Sequence, residues 1–379
     1  MSLLAARRAE IDLDRVRTAL AVVHDPEIGK PLAELGMLGE ITARGGRVRV
    51  EVRLTTESCP LVEELRHAVT TVVAAEAGVR DVEVAFTSMA PRERAEFADR
   101  LKLGAPPLNA TLGIGGTKVY AVASGKGGVG KSTVTANLAA ALAASGHRVG
   151  VLDADVWGYS MPQLFGVRRS PFVLGDLMMP VPAHGVALMS MGFFVNEEQP
   201  VIWRGPMLHK ALLQFITDTY WGRLDALFVD LPPGTGDATL SLFEFLPDAT
   251  LLVVTTPQTT ARVVAARVAR MAAEVGVPVA GVIENMSAAV CDGCGEQTPI
   301  FGSGGGAQLA EETGAPLLGR IPLDMELRRA GDDGVPVVLA APGCASAREL
   351  TRIADTLPRP RRKLAGRALP LSVVSTART

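Results

Sequence analysis

Residues Val119 to Thr133, VYAVASGKGGVGKST, place two lysines, Lys126 and Lys131, in one glycine-rich turn. Gly125, Gly130, Lys131 and Ser132 fit G-x-x-x-x-G-K-[ST], the spacing of a phosphate-binding loop. Glycine at Gly125, Gly127, Gly128 and Gly130 lets backbone N–H groups approach phosphate oxygens closely, and the helix that follows adds the favourable partial charge of its N-terminus. The whole run from Gly125 to Thr133, Val129 included, is therefore the expected nucleotide cradle. Lys131 is placed to reach the β- and γ-phosphates and Ser132 to ligate Mg2+. Such a site also needs carboxylates for the magnesium shell and for the attacking water. VLDADVWGYSMP supplies Asp153 and Asp155, and FVDLPPGTGD supplies Asp230. We assign Asp230 to the magnesium shell with Asp153 supporting it, and Asp155 to positioning water; Lys126, Lys131 and Asp155 are the expected catalytic set. Asn285, in VIENMS, is the residue expected to hydrogen-bond an adenine ring, a turn-forming Asn being the alternative.

A second chemistry rests on sulfur. Cys291 and Cys294 form a C-x-x-C pair before a glycine, a spacing that lets two thiolates share one metal centre. A lone pair is half of a four-cysteine site, and the simplest completion is the same pair from a second chain. The spacing leaves iron-sulfur cluster, zinc and redox disulfide open. Cys59, in TTESCPLVEEL between a strand and a helix, is a candidate transient cluster ligand or a buried small hydrophobe. Cys344 has no partner nearby in sequence and is left as a bystander. His24 receives no ligand role, and Asp25 and Glu27 are expected to order the loop facing Cys59 or to cap a turn.

These residues require elements to hold them. From Lys118 onward, apolar runs (VYAVAS, RVGVLDAD, GVALMSMG, DALFVDLPP, TLLVVTTP, VAGVIENM, PLLGRIP) alternate with helical segments. That pattern predicts an α/β domain with a mostly parallel sheet covered by helices on both faces, binding its ligand at the carboxyl ends of the strands. Gly146 is placed to end the helix after the phosphate loop. Residues 1–90 read as a separate small α/β unit: a helix near Asp12 to Val23, a strand pair turning at Gly45-Gly46, a second helix and a last strand. Residues 91–117 read as a linker, 118–357 as the nucleotide domain, and 358–379 as a flexible basic tail.

The chain has 379 residues, 48 % hydrophobic and 21 % charged, and a formal net charge of -2, which excludes large-scale disorder and the overall basic field of a typical nucleic-acid binder. No apolar stretch approaches the roughly 20 residues of a membrane span, and four cysteines make a disulfide framework unlikely, so the expectation is a cytoplasmic protein with neither nucleic-acid nor membrane partners.

GKGGVGKST, with its early second lysine, resembles the deviant phosphate loop of the nitrogenase iron protein, arsenite-pump ATPase and MinD/ParA group. Together with VLDADVWGYSMPQLFGV, VIWRGPMLHKALLQF, DALFVDLPPGTGDATL, VTTPQTTA, GVIENMS, CDGCG, IFGSGGGAQLAEE and LLGRIPLD it is similar to the Mrp/ApbC family of ATP-binding iron-sulfur cluster carriers, over nearly all of residues 118 to 357. HDPEIGKPLAELGML and LTTESCP resemble the small iron-sulfur assembly domain often fused ahead of such carriers. The resemblance implies ATP and Mg2+ as ligands. It further implies a homodimer in which Lys126 reaches the partner's nucleotide, and a [4Fe-4S] cluster held between the Cys291 and Cys294 pairs of both chains. A donor scaffold would load that cluster, and apo-proteins would receive it. The readings that compete are a MinD/ParA-type positioning ATPase and a nucleotide-dependent scaffold with structural zinc.

Overall fold

The computed structural model describes residues 11–55, 61–104, 116–195, 205–291 and 293–358. Cys59 and the basic tail beyond Pro358 lie outside the described residues.

The small domain contains α1 (Leu13–Leu20), a single turn α2 (Leu32–Leu35), β1 (Leu38–Arg44), β2 (Arg47–Leu54), α3 (Val62–Ala74), β3 (Asp81–Ser88) and α4 (Pro91–Gly104). Asp12 starts α1 by accepting from the N–H of Asp14 at 2.9 Å, as an N-cap should. Between β1 and β2 the chain reverses on Gly45 and Gly46, both at positive φ (60° and 89°), the conformation a two-residue hairpin turn demands. Val48, Val50 and Val52 all point into the core, as alternation along a strand requires, and β3 joins β2 in parallel. The stretch expected to be a linker begins differently. Residues 91–104 form α4, whose Phe97, Ala98 and Leu101 are buried in the small domain's core. Its remaining residues are mostly charged, PRERAEFADRLKLG, so three apolar positions on one face carry the whole amphipathic signal.

The large domain is built on an eight-stranded sheet in the order β15-β12-β11-β4-β10-β5-β9-β8. Its strands are β4 (Lys118–Ser124), β5 (Val149–Asp153), β8 (Val181–Ala183), β9 (Val186–Ser190), β10 (Ala226–Asp230), β11 (Thr250–Thr255), β12 (Val279–Glu284) and β15 (Leu317–Arg320), with the hairpin β6 (Phe172–Leu174)–β7 (Leu177–Met179) outside it. All seven expected strands are present and pair in parallel; the edge strand β8 adds antiparallel, and its Pro182 suits an edge to which no further strand pairs among the described residues. Successive residues of β4 feed opposite cores: Val119, Ala121 and Ala123 pack on one face, Tyr120 and Val122 on the other. Each fully buried large side chain of this kind contributes about 1.5–3 kcal/mol. The helices α5 (Lys131–Ala144), α6 (Met161–Leu164), α7 (Gly205–Thr217), α8 (Asp237–Phe245), α9 (Thr259–Glu274), α10 (Gly305–Thr313), α11 (Met325–Asp333), α12 (Val337–Ala340) and α13 (Ala345–Thr356) complete the domain. Because β4 lies between β11 and β10, the chain leaves it to build the sheet in both directions, and the crevice at its carboxyl end is where such folds bind ligands.

Candidate nucleotide site and cysteine hairpin

That crevice is the phosphate loop. Residues 125–130 join β4 to α5, and Gly130 takes the N-cap position at φ 82° and ψ 22°. A side chain there would be strained, and its Cβ would lie 2.2 Å from Asn285 Nδ2. Gly125 is needed for a different reason: a Cβ would meet the backbone nitrogen of Ala265 in α9 at 2.3 Å. The loop is thus pressed against its surroundings on two sides.

The charged centre is closely bonded. Lys131 Nζ donates to Asp230 Oδ2 at 2.6 Å and lies 4.0 Å from Asp155 Oδ2. Ser132 Oγ donates to the same Asp230 oxygen at 2.6 Å, and Thr135 Oγ1 donates to Asp230 Oδ1 at 2.8 Å. Asp153 sits beside Asp230 in the β5–β10 register and is completely buried. Burial first, then the neighbouring Asp230 charge, pushes Asp153 up to about 7. Its oxygens accept from Ser190 Oγ at 2.9 Å and from the N–H groups of Asp155, Ser160 and Met161. Asp153 therefore holds the loop that carries Asp155. Burial also raises Asp155, whose Oδ1 accepts from Gly158 N at 2.9 Å.

Over this centre opens a cavity of about 550 Å³, lined by Ser124, Lys126 to Thr133, Asp155, Trp157, Gly158, Ser160, Pro232 and Pro233. The volume falls within the range of small-molecule and cofactor sites. Lys126 is half-buried on its rim, with Nζ 3.3 Å from Gln258 Oε1, and among the described residues it forms no salt bridge. Asn285 is buried behind the loop with Nδ2 donating to Val129 O at 2.9 Å, so it braces the cradle from beneath.

The cysteines lie beyond Asn285 on the same chain segment. Ala289–Val290 and Gln297–Thr298 pair as β13 and β14, and C-x-x-C occupies the turn they close. Cys291 N donates to Glu296 O at 2.9 Å and Gly295 N to Cys291 O at 2.8 Å, which makes a tight tip on which both cysteines are exposed. Among the described residues, no group of three or more His, Cys, Asp or Glu side chains is placed to hold a metal. Cys344 has a structural use: its Sγ accepts from Ala347 N at 3.4 Å and caps α13.

Residues 116–358 match the family model described as the NUBPL iron-transfer P-loop NTPase, and residues 13–86 match the model described as an iron-sulfur cluster assembly protein. The chain belongs to the iron-transfer P-loop NTPase family. Within it, the chain is 47 % identical over 365 residues to an iron-sulfur cluster carrier protein of Mycobacterium leprae, covering 94 % of this chain and 95 % of that one. It is 43 % identical over 356 residues to the protein of that name from Synechocystis, covering 91 % and 96 %. Among solved structures it is similar to a nucleotide-binding protein in complex with ADP from Archaeoglobus fulgidus, with 34 % identity, a TM-score of 0.51, and coverage of 64 % of this chain and 90 % of that one.

The site also involves residues to which the sequence assigned no role. Thr135 stands one helical turn after Lys131, a spacing that signals a shared face. Gln258, which holds Lys126, follows the end of β11 in TTPQTT and carries no local signal. Trp157 lies on the cavity rim, 75 % exposed, within a stretch already singled out for its aspartates.

Proposed function

We propose that this protein is an ATP-binding and ATP-hydrolysing iron-sulfur cluster carrier. Two copies hold one [4Fe-4S] cluster between the Cys291 and Cys294 pairs of both chains and pass it to apo-proteins. One observation carries the reading: two thiol side chains stand exposed at the tip of a small hairpin, with no third ligand among the described residues. Thiolates select soft metal centres, four are needed to close a cubane cluster, and a two-fold axis through the tip supplies them. A cluster held on such a tip remains open to a recipient protein.

The loop cavity supports nucleotide binding. Its backbone N–H groups and the α5 N-terminus receive phosphate oxygens, and Lys131 moves its donors from Asp230 to them. Ser132 Oγ and the Asp230 carboxylate are hard oxygen donors that meet at the cavity floor, and they fit a magnesium ion. When bound, that ion offsets charge on the β- and γ-phosphates. Asp155, whose carboxyl is raised by burial, is the group that orients the attacking water. Lys126, held by one 3.3 Å bond to a neutral amide, is available to reach the nucleotide of a second copy. Nucleotide binding then changes how the two chains meet, and with it the exposure of the shared cluster.

The test is cluster transfer from the loaded protein to an apo-acceptor, with and without ATP, in wild type and Lys131→Ala. A rate that ATP changes in wild type and leaves unaltered in the variant is expected. Equal rates in all four samples would refute the coupling.

A further inference from the structure

The small domain is seated on the large one over a surface that neither the phosphate loop nor the cysteine hairpin uses. Leu174, Leu177, Met179 and Tyr220 of the large domain are buried in one apolar cluster with Val16, Leu20 and Phe97 of the small one. α4 closes the corner, with Ala98 Cβ 3.3 Å from where Gly175 would carry a side chain. Among the described residues one ion pair crosses this surface: Arg169 Nη1 donates to Glu27 Oε1 at 2.8 Å, with the carboxylate 10 % and the guanidinium 28 % exposed. The aim of Glu27 is built in. Asp25 Oδ1 accepts from the N–H groups of Glu27 and Ile28, each at 2.9 Å, and fixes the turn that points Glu27 at the other domain.

Arg169 lies at the end of a segment that begins in the nucleotide cavity. Asp155, Gly158 and Ser160 line that cavity. Asp153 holds the N–H groups of Ser160 and Met161, where α6 starts, and α6 is tied to the turn after it by Val167 N donating to Pro162 O at 2.7 Å. Gly166 then passes so close to Gly334 that a Cβ would lie 2.9 Å from its carbonyl oxygen. From the cavity to that turn, the path is hydrogen-bonded or packed at each of these points.

We propose that docking of the small domain is coupled to nucleotide occupancy of the large domain through residues 153–169, with the Glu27–Arg169 pair as the contact that registers the two domains. The proposal rests on the nucleotide reading of the cavity. A ligand that shifts the loop bearing Asp155 and Ser160 carries α6 with it and moves Arg169 against Glu27. By linkage, whatever undocks the small domain changes nucleotide affinity by the same factor. A buried pair suits registry, because losing or reversing one partner leaves a buried charge uncompensated.

The experiment compares full-length wild type with Glu27→Arg, Arg169→Glu, the charge-swapped double variant and the neutral Glu27→Gln. ATP binding is titrated, and amide exchange is followed in the segment Phe172–Met179. Each single reversal is expected to speed exchange there and to change the nucleotide Kd by about fivefold or more, with the double variant returning both toward wild type. Faster exchange with Kd unchanged within about twofold would overturn the coupling, as would reversals that leave exchange at the wild-type rate. A wild-type chain that binds no nucleotide would overturn the coupling together with the reading it rests on. Wild-type binding that every variant retains unaltered would overturn the coupling alone.

Discussion

Around Lys131, both oxygens of Asp230 accept hydrogen bonds from side chains of α5, and Gly125 and Gly130 abut α9 and Asn285 so closely that no side chain fits at either. Around Cys291, two backbone hydrogen bonds and a pair of two-residue strands hold a tip whose residues are nearly all exposed. The first arrangement is bonded and packed within the chain on several sides. The second presents both cysteines exposed at a hairpin tip. A phosphate site works by preorganised donors, so rigidity serves it. A cluster that is to be handed on needs the opposite, ligands that the surrounding protein neither buries nor encloses.

The same substitution in the two regions breaks or sharpens this contrast. Gly130→Ala forces a side chain into left-handed backbone and against the Asn285 amide, so nucleotide affinity should fall by at least about tenfold, a loss of about 1.4 kcal/mol or more. Gly293→Ala meets nothing nearer than Cys291 Sγ at 4.0 Å and should change stability by less than about 0.5 kcal/mol, with cluster retention intact. Titration of ATP and thermal unfolding of both variants decide the matter; comparable losses in the two would end the comparison.

A smaller effect concerns the ion pair between the domains. Burial, ahead of the attraction of Arg169, pushes the Glu27 carboxyl from 4.5 up to about 7, with Asp25 adding repulsion. The folded chain therefore keeps a proton on Glu27 that the unfolded chain releases. The stability this group contributes is full below 4.5 and is lost as pH rises through about 7. Thermal unfolding should show this group's share of stability at about pH 6 and its loss at about pH 8, and Glu27→Gln should flatten the difference.

The strands and the loop were legible because their signals are local. β4, β5, β9, β10, β11, β12 and β15 are short, continuous apolar runs, and the phosphate loop is a fixed spacing with a strand before it and a helix after. α4 was hidden by its charge, since Phe97, Ala98 and Leu101 alone mark its buried face. Strand-end position placed Asn285 near the phosphate loop, but no pattern along the chain tells that its amide donates to the loop backbone. Asp153 carries the same residue type as its neighbours and differs through complete burial, which depends on the sheet around it. Glu27 and Arg169 are 142 residues apart, and no pattern along the chain brings them together.

The central claim is that each chain supplies half of a cluster site. It is tested most directly by measuring iron, acid-labile sulfide and zinc per chain after anaerobic reconstitution of wild type and the Cys291→Ala/Cys294→Ala double variant. The account predicts about two iron and two sulfide per chain, lost in the variant. Zinc at about half an atom per chain with no sulfide would contradict it and leave a structural thiolate clamp in its place.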